Sequence, residues 1–367
     1  MFAERRGDAM QTRYRSMSSK SLLQGISESN PIDMMIPRSY ISDVSVQVTF
    51  HSSALPDVIQ SKVAAGIATH RLPAGLLYAS IGQSARWLKY ARAWAPIHRL
   101  DAINALYQSV YQSTLDSMER DEFHYLALGC GDGVKDASFL ELAAPDKWRV
   151  KVTLLDVSPS LTLAAAQRLN AWQTQLHVAD LESQPDLSVL DLAARRQPRV
   201  ISCLGMLPTL GHAVLLPYLS SILKPEDRLV ISANLSPTTS DEDQASIKSQ
   251  YDNPEARLWY CGALLELGLE RDDFALRCYV ESLAGIAGAY RIVVRAEILR
   301  GLELQVYGEV YPMAAGDRLE VFRSERWTPS ALQHRFSHQG LEIIQASVSN
   351  DCQEGVYVIA NRNQSPR

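Results

Sequence analysis

The sequence is 367 residues long, 46% of them hydrophobic and 21% charged, with a formal net charge of -5. This length is typical of about two domains, and the composition is that of an ordinary soluble globular protein. Acidic and basic residues are mixed along the chain, which argues against non-specific binding to nucleic acid or to an anionic membrane. No apolar run approaches the length of a membrane span. We therefore expect neither nucleic acid nor a membrane as a partner.

Residues 1–45 are predicted to form an N-terminal arm. The first 21 residues, MFAERRGDAMQTRYRSMSSKS, contain basic residues but no apolar core, so we do not expect this segment to act as a secretory signal. Their Arg and Ser content weakly favours a transit peptide, whereas Glu4 and Asp8 argue against one. The five cysteines are scattered without CxxC spacing, which predicts reduced thiols, a cytoplasmic location and no metal site.

Residues 46–120 are predicted to be largely helical and to form part of a second lobe that binds the substrate. This segment carries repeated aromatic residues, namely Tyr78, Trp87, Tyr90, Trp94, Tyr107 and Tyr111.

Residues 121–240 alternate between apolar runs and helical patterns. The runs suited to buried parallel strands are YLALG (125–129), VKVTLLDV (150–157), TQLHVAD (174–180), PRVISCLG (198–205) and RLVISANL (228–235). Helical patterns lie between them; Ser158 or Ser160 caps the start of one, and Pro225 closes another. The pattern predicts an α/β fold with a doubly wound, Rossmann-like parallel sheet, in which ligands bind beyond the carboxyl ends of the strands.

The pattern changes after residue 240. A helical stretch (241–270) precedes three strand-like runs, AYRIVVRAEIL, LELQVYGEVYPM and DRLEVFRSERW, whose apolar and polar residues alternate as in an antiparallel sheet with one wet face. We expect residues 241–325 to be an insertion that completes the substrate lobe. Residues 326–367 then supply a helix, with Thr328 as its cap and Gly340 as its stop, and two closing strands.

A glycine-rich turn follows the first apolar run of the central domain. Gly129 and Gly131 lie between that run and a helical pattern, where backbone amides can approach a ligand closely. The spacing is not that of the dinucleotide motif GxGxxG, and such a turn alone is also compatible with a plain strand-to-helix loop. Lys135 lies in the first turn of the following helix, where it can reach a carboxylate.

Acidic residues follow the next two strands. Asp156 ends the second strand, 25 residues after Gly131, and one carboxylate there can accept hydrogen bonds from both ribose hydroxyls. Asp180 and Leu181 follow the third strand, where they suit the amino group and the ring face of adenine. A helix N-terminal charge for Asp156 and a loop turn for Asp180 are the structural alternatives. Together with the glycine turn, these residues fit S-adenosylmethionine (SAM) as cofactor better than a dinucleotide. Lys135 is then predicted to reach the carboxylate at the methionine end of SAM.

These motifs resemble those of the EgtD-like methyltransferases, the family of the histidine Nα-methyltransferase of ergothioneine biosynthesis. The likeness covers most of the chain from about residue 70. The segments that carry it are RLPAGLLYASIG, GCGDGVKD, LLDVSPSLTLAA, VADLES, QYDNPEA and RSERWTPSAL. The resemblance implies a class I methyltransferase sheet with SAM as cofactor, Tyr78 as the active-site tyrosine, and Tyr251 as a residue that holds the carboxylate of a small-molecule substrate. It also implies that Gly205 and Ser324 contact the substrate.

The sequence departs from this family at the substrate side. The family's Lys and Asp near the active-site tyrosine are Gly75 and Ala79 here, and its backbone-binding Asn has Leu210 as the nearest occupant. Phe322 replaces the acid that contacts imidazole in the family, and Ile292 replaces a methionine. In a strand, Glu320 would share a face with Phe322, so a small register error would return an acid to the pocket.

We therefore expect a SAM-dependent methyltransferase that acts on the amine of an amino acid or related small metabolite, other than histidine. Tyr78 is the candidate catalytic residue, because a hydroxyl helps an amine to lose its proton. Phe322 and Ile292 should form an apolar wall with Trp94 opposite. Methylation of an oxygen or of a side-chain nitrogen, and a non-catalytic scaffold with this fold, are the alternatives.

Overall fold

The computed structural model describes residues 46–95, 100–119, 121–144, 147–187 and 197–361. The predicted N-terminal arm, residues 1–45, lies outside these ranges. No helix within them is both long and apolar enough to cross a lipid bilayer.

The described residues form thirteen strands and ten α-helices. The strands are β1 (Val48–Phe50), β2 (Glu122–Leu128), β3 (Arg149–Asp156), β4 (Thr174–Val178), β5 (Arg199–Cys203), β6 (Arg228–Asn234), β7 (Phe274–Ser282), β8 (Ala289–Ile298), β9 (Leu302–Val306), β10 (Glu309–Met313), β11 (Arg318–Trp327), β12 (Leu341–Val348) and β13 (Glu354–Asn361). The helices are α1 (Pro56–Ala68), α2 (Ile81–Trp94), α3 (Asp101–Asp116), α4 (Val134–Leu142), α5 (Pro159–Arg168), α6 (Leu207–Leu210), α7 (His212–Ile222), α8 (Asp241–Ser249), α9 (Pro254–Glu266) and α10 (Pro329–His338).

Eight strands form the large sheet, in the order β1-β4-β3-β2-β5-β6-β13-β12. The strands from β1 to β6 in this order pair in parallel, and β13 runs antiparallel to both of its neighbours. The five predicted parallel strands and the two closing strands are all present, so the predicted doubly wound α/β fold is confirmed. Parallel strands in this sheet are buried on both faces, which explains their continuous apolar runs.

Helices cover both faces of the large sheet. One core cluster packs Tyr107 of α3 and Phe139 of α4 against the sheet, and another packs Leu215 of α7 and Phe336 of α10 on the other side. Local sequence explains where these helices begin; at α5, for example, the Ser158 hydroxyl accepts the backbone N–H of Leu161 as an N-cap. The carboxyl ends of the parallel strands are thereby left open to a neighbouring group of elements.

That group is the second lobe, a three-stranded antiparallel sheet in the order β11-β8-β7 packed with α1, α2 and α9. Its core contains Trp259 and Tyr260 of α9, which are 1% and 0% exposed.

Four details differ from the prediction. The segment expected to be helical contains the short strand β1, which pairs with β4 of the large sheet. Helix α3, also expected in the substrate lobe, packs in the core of the large sheet. The run at 302–313 is not one strand but a separate hairpin of β9 and β10, because the chain turns at Tyr307 and Gly308, both with positive φ. Strand β7 has no counterpart in the predicted elements.

Candidate functional site

A cavity of about 260 Å³ lies at the carboxyl ends of the parallel strands. Residues at or just beyond five consecutive strand ends line it, namely Gly129, Asp156, Asp180, Gly205 and Asn234. This is where ligands bind in open α/β sheets, since loops from neighbouring strands diverge there. Residues of the second lobe line the opposite wall. Every predicted site residue except Ile292 borders this cavity.

The glycine turn after β2 depends on glycine for two reasons. Gly129 and Gly131 have φ of +74° and +54°, in the left-handed region that other residues rarely adopt. A Cβ on Gly129 would lie 2.3 Å from Sδ of Met206, and one on Gly131 would lie 3.0 Å from the ring of Trp87. The turn is therefore close-packed, and its backbone forms part of the cavity wall.

Asp156 holds this turn in place from the end of β3. One carboxylate oxygen accepts the backbone N–H of Gly131 at 2.9 Å, and the other accepts the N–H of Ser158 at 2.9 Å. Burial raises the pKa of Asp156 to about 6, although these backbone N–H groups act to lower it. The side chain is 7% exposed and borders the cavity. A pair of ligand hydroxyls that donate to this carboxylate would stabilise its ionised form.

Asp180 is fixed by partners on both oxygens. One oxygen accepts the backbone N–H of Glu182 at 2.9 Å, and the other forms a short ion pair with Lys62 of α1. Leu181 follows it, buried and bordering the cavity. Lys62 was not predicted, because it lies 118 residues away in the chain and no local signal connects the two.

Aromatic side chains make up most of the wall on the second lobe. Tyr78 lies edge-on to Trp87 and Trp259, with ring centroids 5.8 and 5.4 Å apart. Tyr90 stacks on Trp259 at 5.4 Å, and Phe322 lies 5.6 Å from the same indole. These five rings all border the cavity, which makes this part of the site a largely apolar enclosure.

Tyr78 is partly buried in this wall. Burial raises the pKa of Tyr78 well above its ordinary value, against the lowering effect of a hydrogen bond with Thr209. The phenol therefore stays protonated near neutral pH. It can orient a ligand through its hydroxyl, but it is not available as an anionic base. Trp94 also borders the cavity, and its indole N–H lies 3.4 Å from Glu255.

A β-bulge settles which residue of β11 borders the cavity. Glu320 is opposite Arg295 of β8, but the next paired residue, Phe322, is opposite Val294, so the register shifts between them. Phe322 borders the cavity, whereas Glu320 does not; its carboxylate pairs with Arg323 at 2.5 Å and Arg295 at 3.6 Å. The simple alternation that would place both residues on one face does not hold here.

Contrary to the prediction, Ile292 does not form an apolar wall of the cavity with Phe322. It lies in β8 opposite Ser324, is 0% exposed, and packs in the core of the second lobe without bordering the cavity. Its replacement would change the packing beneath the wall and not the wall itself.

Tyr251 is the centre of a buried polar cluster. Its hydroxyl accepts N–H groups from Asn234 at 3.0 Å and from Arg326 at 2.7 Å, and lies 2.9 Å from the hydroxyl of Ser324. Because two donors already occupy the tyrosine oxygen, its own proton points to Ser324. Arg326 also donates to the carbonyl of Leu235 at 3.0 Å and, within the described residues, has no ion-pair partner. The cluster presents donors and positive charge to the cavity.

A second polar chain lies beside the glycine turn. The Lys135 ammonium donates to the hydroxyl of Tyr107 at 3.2 Å, and that hydroxyl donates to Glu354 at 2.5 Å. Burial raises the pKa of Glu354 and lowers that of Lys135. Lys135 was predicted at the site, whereas Glu354 was not, because it belongs to the last strand, more than 200 residues away in sequence.

Metal ligands are not assembled anywhere in the described ranges. His334 and His338 lie one helical turn apart on α10 in an HxxxH spacing, with ring centroids 4.7 Å apart, although no such spacing was expected among the histidines. Within those ranges there is no group of three or more His, Cys, Asp or Glu side chains that could hold an ion.

Comparison with known proteins gives weak structural likenesses. No protein-family model and no curated protein matches the sequence. Among solved structures, the glycopeptide N-methyltransferase MtfA complexed with SAM is 14% identical, with 69% of this chain and 93% of that chain covered and a TM-score of 0.34. The CcbJ methyltransferase from Streptomyces caelestis is 11% identical, with 70% and 89% covered and a TM-score of 0.37.

The CMeT domain of the citrinin polyketide synthase is also similar. It is 13% identical, with 83% of this chain and 64% of that chain covered and a TM-score of 0.41. Because both the identities and the TM-scores are low, the chemistry of the cavity has to be inferred from its own side chains.

Proposed function

We propose that the protein is a SAM-dependent methyltransferase that acts on the amine of an amino acid or related small metabolite other than histidine. The observation that carries this proposal is the division of one cavity into two chemically different halves. One half has a glycine turn with the carboxylates of Asp156 and Asp180; the other has an aromatic enclosure with the polar cluster around Tyr251.

The first half fits SAM by its shape and its donor set. The turn at Gly129 and Gly131 brings backbone so close to its neighbours that a Cβ would fill the space. Asp156 would accept hydrogen bonds from both ribose hydroxyls, and Asp180 with Leu181 would contact the amino group and ring face of adenine; all three residues border the cavity. When bound, SAM supplies a methyl group on a positively charged sulfur.

The second half fits a small substrate with a carboxylate and an apolar side chain. The resemblance to the EgtD-like enzymes assigns the substrate carboxylate to Tyr251, and Arg326 adds positive charge to that position. Phe322 and Trp94 would cover an aromatic or aliphatic side chain, whose burial contributes about 1.5–3 kcal/mol. Imidazole would lose its hydrogen-bond acceptor in such an enclosure, which costs about 1–3 kcal/mol.

Methyl transfer mainly requires that a lone pair be held in line with the methyl group in a site free of bulk water. The aromatic wall would exclude water, and the Tyr78 hydroxyl would orient the amine. Because the pKa of Tyr78 is raised, we expect the amine to enter neutral, having released its ammonium proton to bulk water. Its lone pair then takes the methyl group as the C–S bond breaks, so the sulfur becomes neutral and the product leaves as a methylated ammonium.

One alternative is transfer to an oxygen or a side-chain nitrogen. It is favoured by Leu210, which borders the cavity where the resembling family has an asparagine for the amino-acid backbone. Weaker binding of the α-amino group is compatible with a substrate in which that group is modified or absent. A non-catalytic scaffold is the other alternative.

Two measurements test the proposal. Calorimetric titration with SAM and with its demethylated product S-adenosylhomocysteine (SAH) should give saturable binding; no binding at high micromolar ligand would end the enzyme assignment. Labelled SAM should then be incubated with histidine and several apolar amino acids together, and products identified by mass. We expect apolar amino acids to be methylated in preference; histidine ahead by tenfold or more would refute the altered pocket.

A further inference from the structure

Glu354 is a buried acid at the cavity that the proposed mechanism does not use. It begins β13 directly opposite Asn234, the last residue of β6, so it lies at the same edge of the sheet as the parallel strand ends. The residue is 6% exposed and borders the cavity. Strand β13 therefore contributes a carboxylate to the wall formed by the parallel strand ends.

The hydrogen bonds around Glu354 are incomplete. Its Oε1 accepts the Tyr107 hydroxyl at 2.5 Å, whereas its Oε2 has no hydrogen-bond or ion-pair partner among the described residues. Lys135 is incomplete in the same way, because its ammonium has three donors and makes one hydrogen bond, to Tyr107. Buried charges left without partners are costly, so a ligand that satisfies both groups would gain affinity.

The two charges are spaced for a single small ligand. Contacts of 3.2 and 2.5 Å join Lys135 and Glu354 through the Tyr107 hydroxyl, so their charged atoms are less than about 6 Å apart. An α-amino acid carries its ammonium and its carboxylate on one carbon, so it can reach a cation and an anion at this separation. The pair complements a zwitterion and not a simple anion.

We propose that Glu354 binds the ammonium of the α-amino-acid end of SAM, beside Lys135, which the sequence already predicts to contact the carboxylate of that end. This inference rests on the proposed function. The methionine end of the cofactor is favoured over an amino-acid substrate because Lys135 lies in the first turn of α4, directly after the glycine turn. The aromatic enclosure for the substrate is on the other wall of the cavity.

The test uses two ligands that differ in this end alone. SAH carries the amino-acid end, whereas 5′-methylthioadenosine keeps the adenosine and the sulfur but lacks it. We expect wild-type protein to bind SAH more tightly than 5′-methylthioadenosine. Glu354→Gln should weaken SAH binding by roughly tenfold to a hundredfold, the effect of a lost charged hydrogen bond, and leave 5′-methylthioadenosine within twofold. Lys135→Met should show the same selectivity and serves if the first variant fails to fold.

Asp156→Asn is the matched control, because a ribose contact is common to both ligands. It should weaken both by a similar factor. The inference is overturned if Glu354→Gln weakens both ligands equally, or neither, or if wild type binds them with equal affinity. The inference is also overturned if Glu354→Gln leaves SAH affinity unchanged but abolishes the binding of a free amino acid to the SAH-loaded protein. That result would show that Glu354 binds the substrate and not the cofactor. Wild-type protein that binds neither ligand would instead refute the proposed function.

Discussion

The affinity for SAH should depend on pH through Asp156. Burial raises the pKa of this carboxyl to about 6, and ribose hydroxyls donate hydrogen bonds to its ionised form. Affinity should therefore rise with pH through 6 and become level above about 7. With a pKa of about 6, the ionised fraction is about one-tenth at pH 5 and nearly complete at pH 7.5, so affinity should fall roughly tenfold between pH 7.5 and pH 5.

The same raised pKa predicts an opposite trend in the stability of the ligand-free protein. The folded state holds the proton up to about pH 6, whereas the unfolded chain loses it near pH 4. The folded state thus binds more protons in this window, and the free energy of unfolding falls as pH rises through it. Because this side chain is only 7% exposed, the raised pKa corresponds to a decrease of roughly 3 kcal/mol in the free energy of unfolding as the pH rises through this window.

Calorimetry of SAH binding at pH 5, 6 and 7.5 measures the first trend, and Asp156→Asn is the control. The amide cannot ionise, so the variant should bind SAH about 1.5–3 kcal/mol more weakly at pH 7.5 and with little pH dependence. A flat pH profile in the wild type would refute the assignment of Asp156. So would an unchanged profile in the variant, which would trace the titration to Asp136 or Glu354, whose pKa values burial also raises.

Two further changes test the packing of the site. Gly129→Ala should lower the free energy of unfolding in urea by about 2–4 kcal/mol, because the alanine would need a positive φ and would displace Met206. The control is Gly285→Ala, where φ is +73° and no atom lies within 4 Å of the added Cβ, so the loss should be only about 1–2 kcal/mol. Equal losses would show that the glycine turn can accommodate a Cβ. Tyr251→Phe should lower the free energy of unfolding by about 1–3 kcal/mol, since it leaves the donors of Asn234 and Arg326 without this acceptor, but should not change SAH affinity. A large loss of SAH affinity would instead indicate that the tyrosine contacts the cofactor.

Much of the fold could be predicted because its signals are local. Parallel strands in the large sheet are buried over most of their length, so the sequence around 150–157 and 228–235 is mostly apolar. The three-residue strand β1 is too short to show an alternation of apolar and polar residues, and it forms because the edge of β4 is free to pair with it. The hairpin of β9 and β10 was not predicted, because apolar and polar residues alternate on both sides of its turn at Tyr307 and Gly308 and the segment resembles one strand.

From the residues alone, the site could be predicted where strands end. Gly129 follows β2 and Asp156 ends β3, and the topology of a parallel sheet brings strand ends together. Tyr78, Tyr251 and Phe322, which also border the cavity, were predicted only through the family resemblance. Lys62 and Glu354 come from elements whose local sequence says nothing about the cavity. Their roles depend on pairings across more than 100 residues, with Asp180 and with Tyr107.

The bulge in β11 has the largest consequence for specificity. It adds one residue between Glu320 and Phe322, so the acid and the ring do not share a face. To place an acid in the enclosure, the chain would have to remove the bulge and break the ion pairs of Glu320 with Arg295 and Arg323. Phe322 would also have to leave its contacts with Trp259 and Tyr251. We infer that discrimination against imidazole is set by the strand register as well as by the side chain. A single exchange at position 322 would therefore bury a carboxylate among rings without rebuilding the surroundings that such an acid requires.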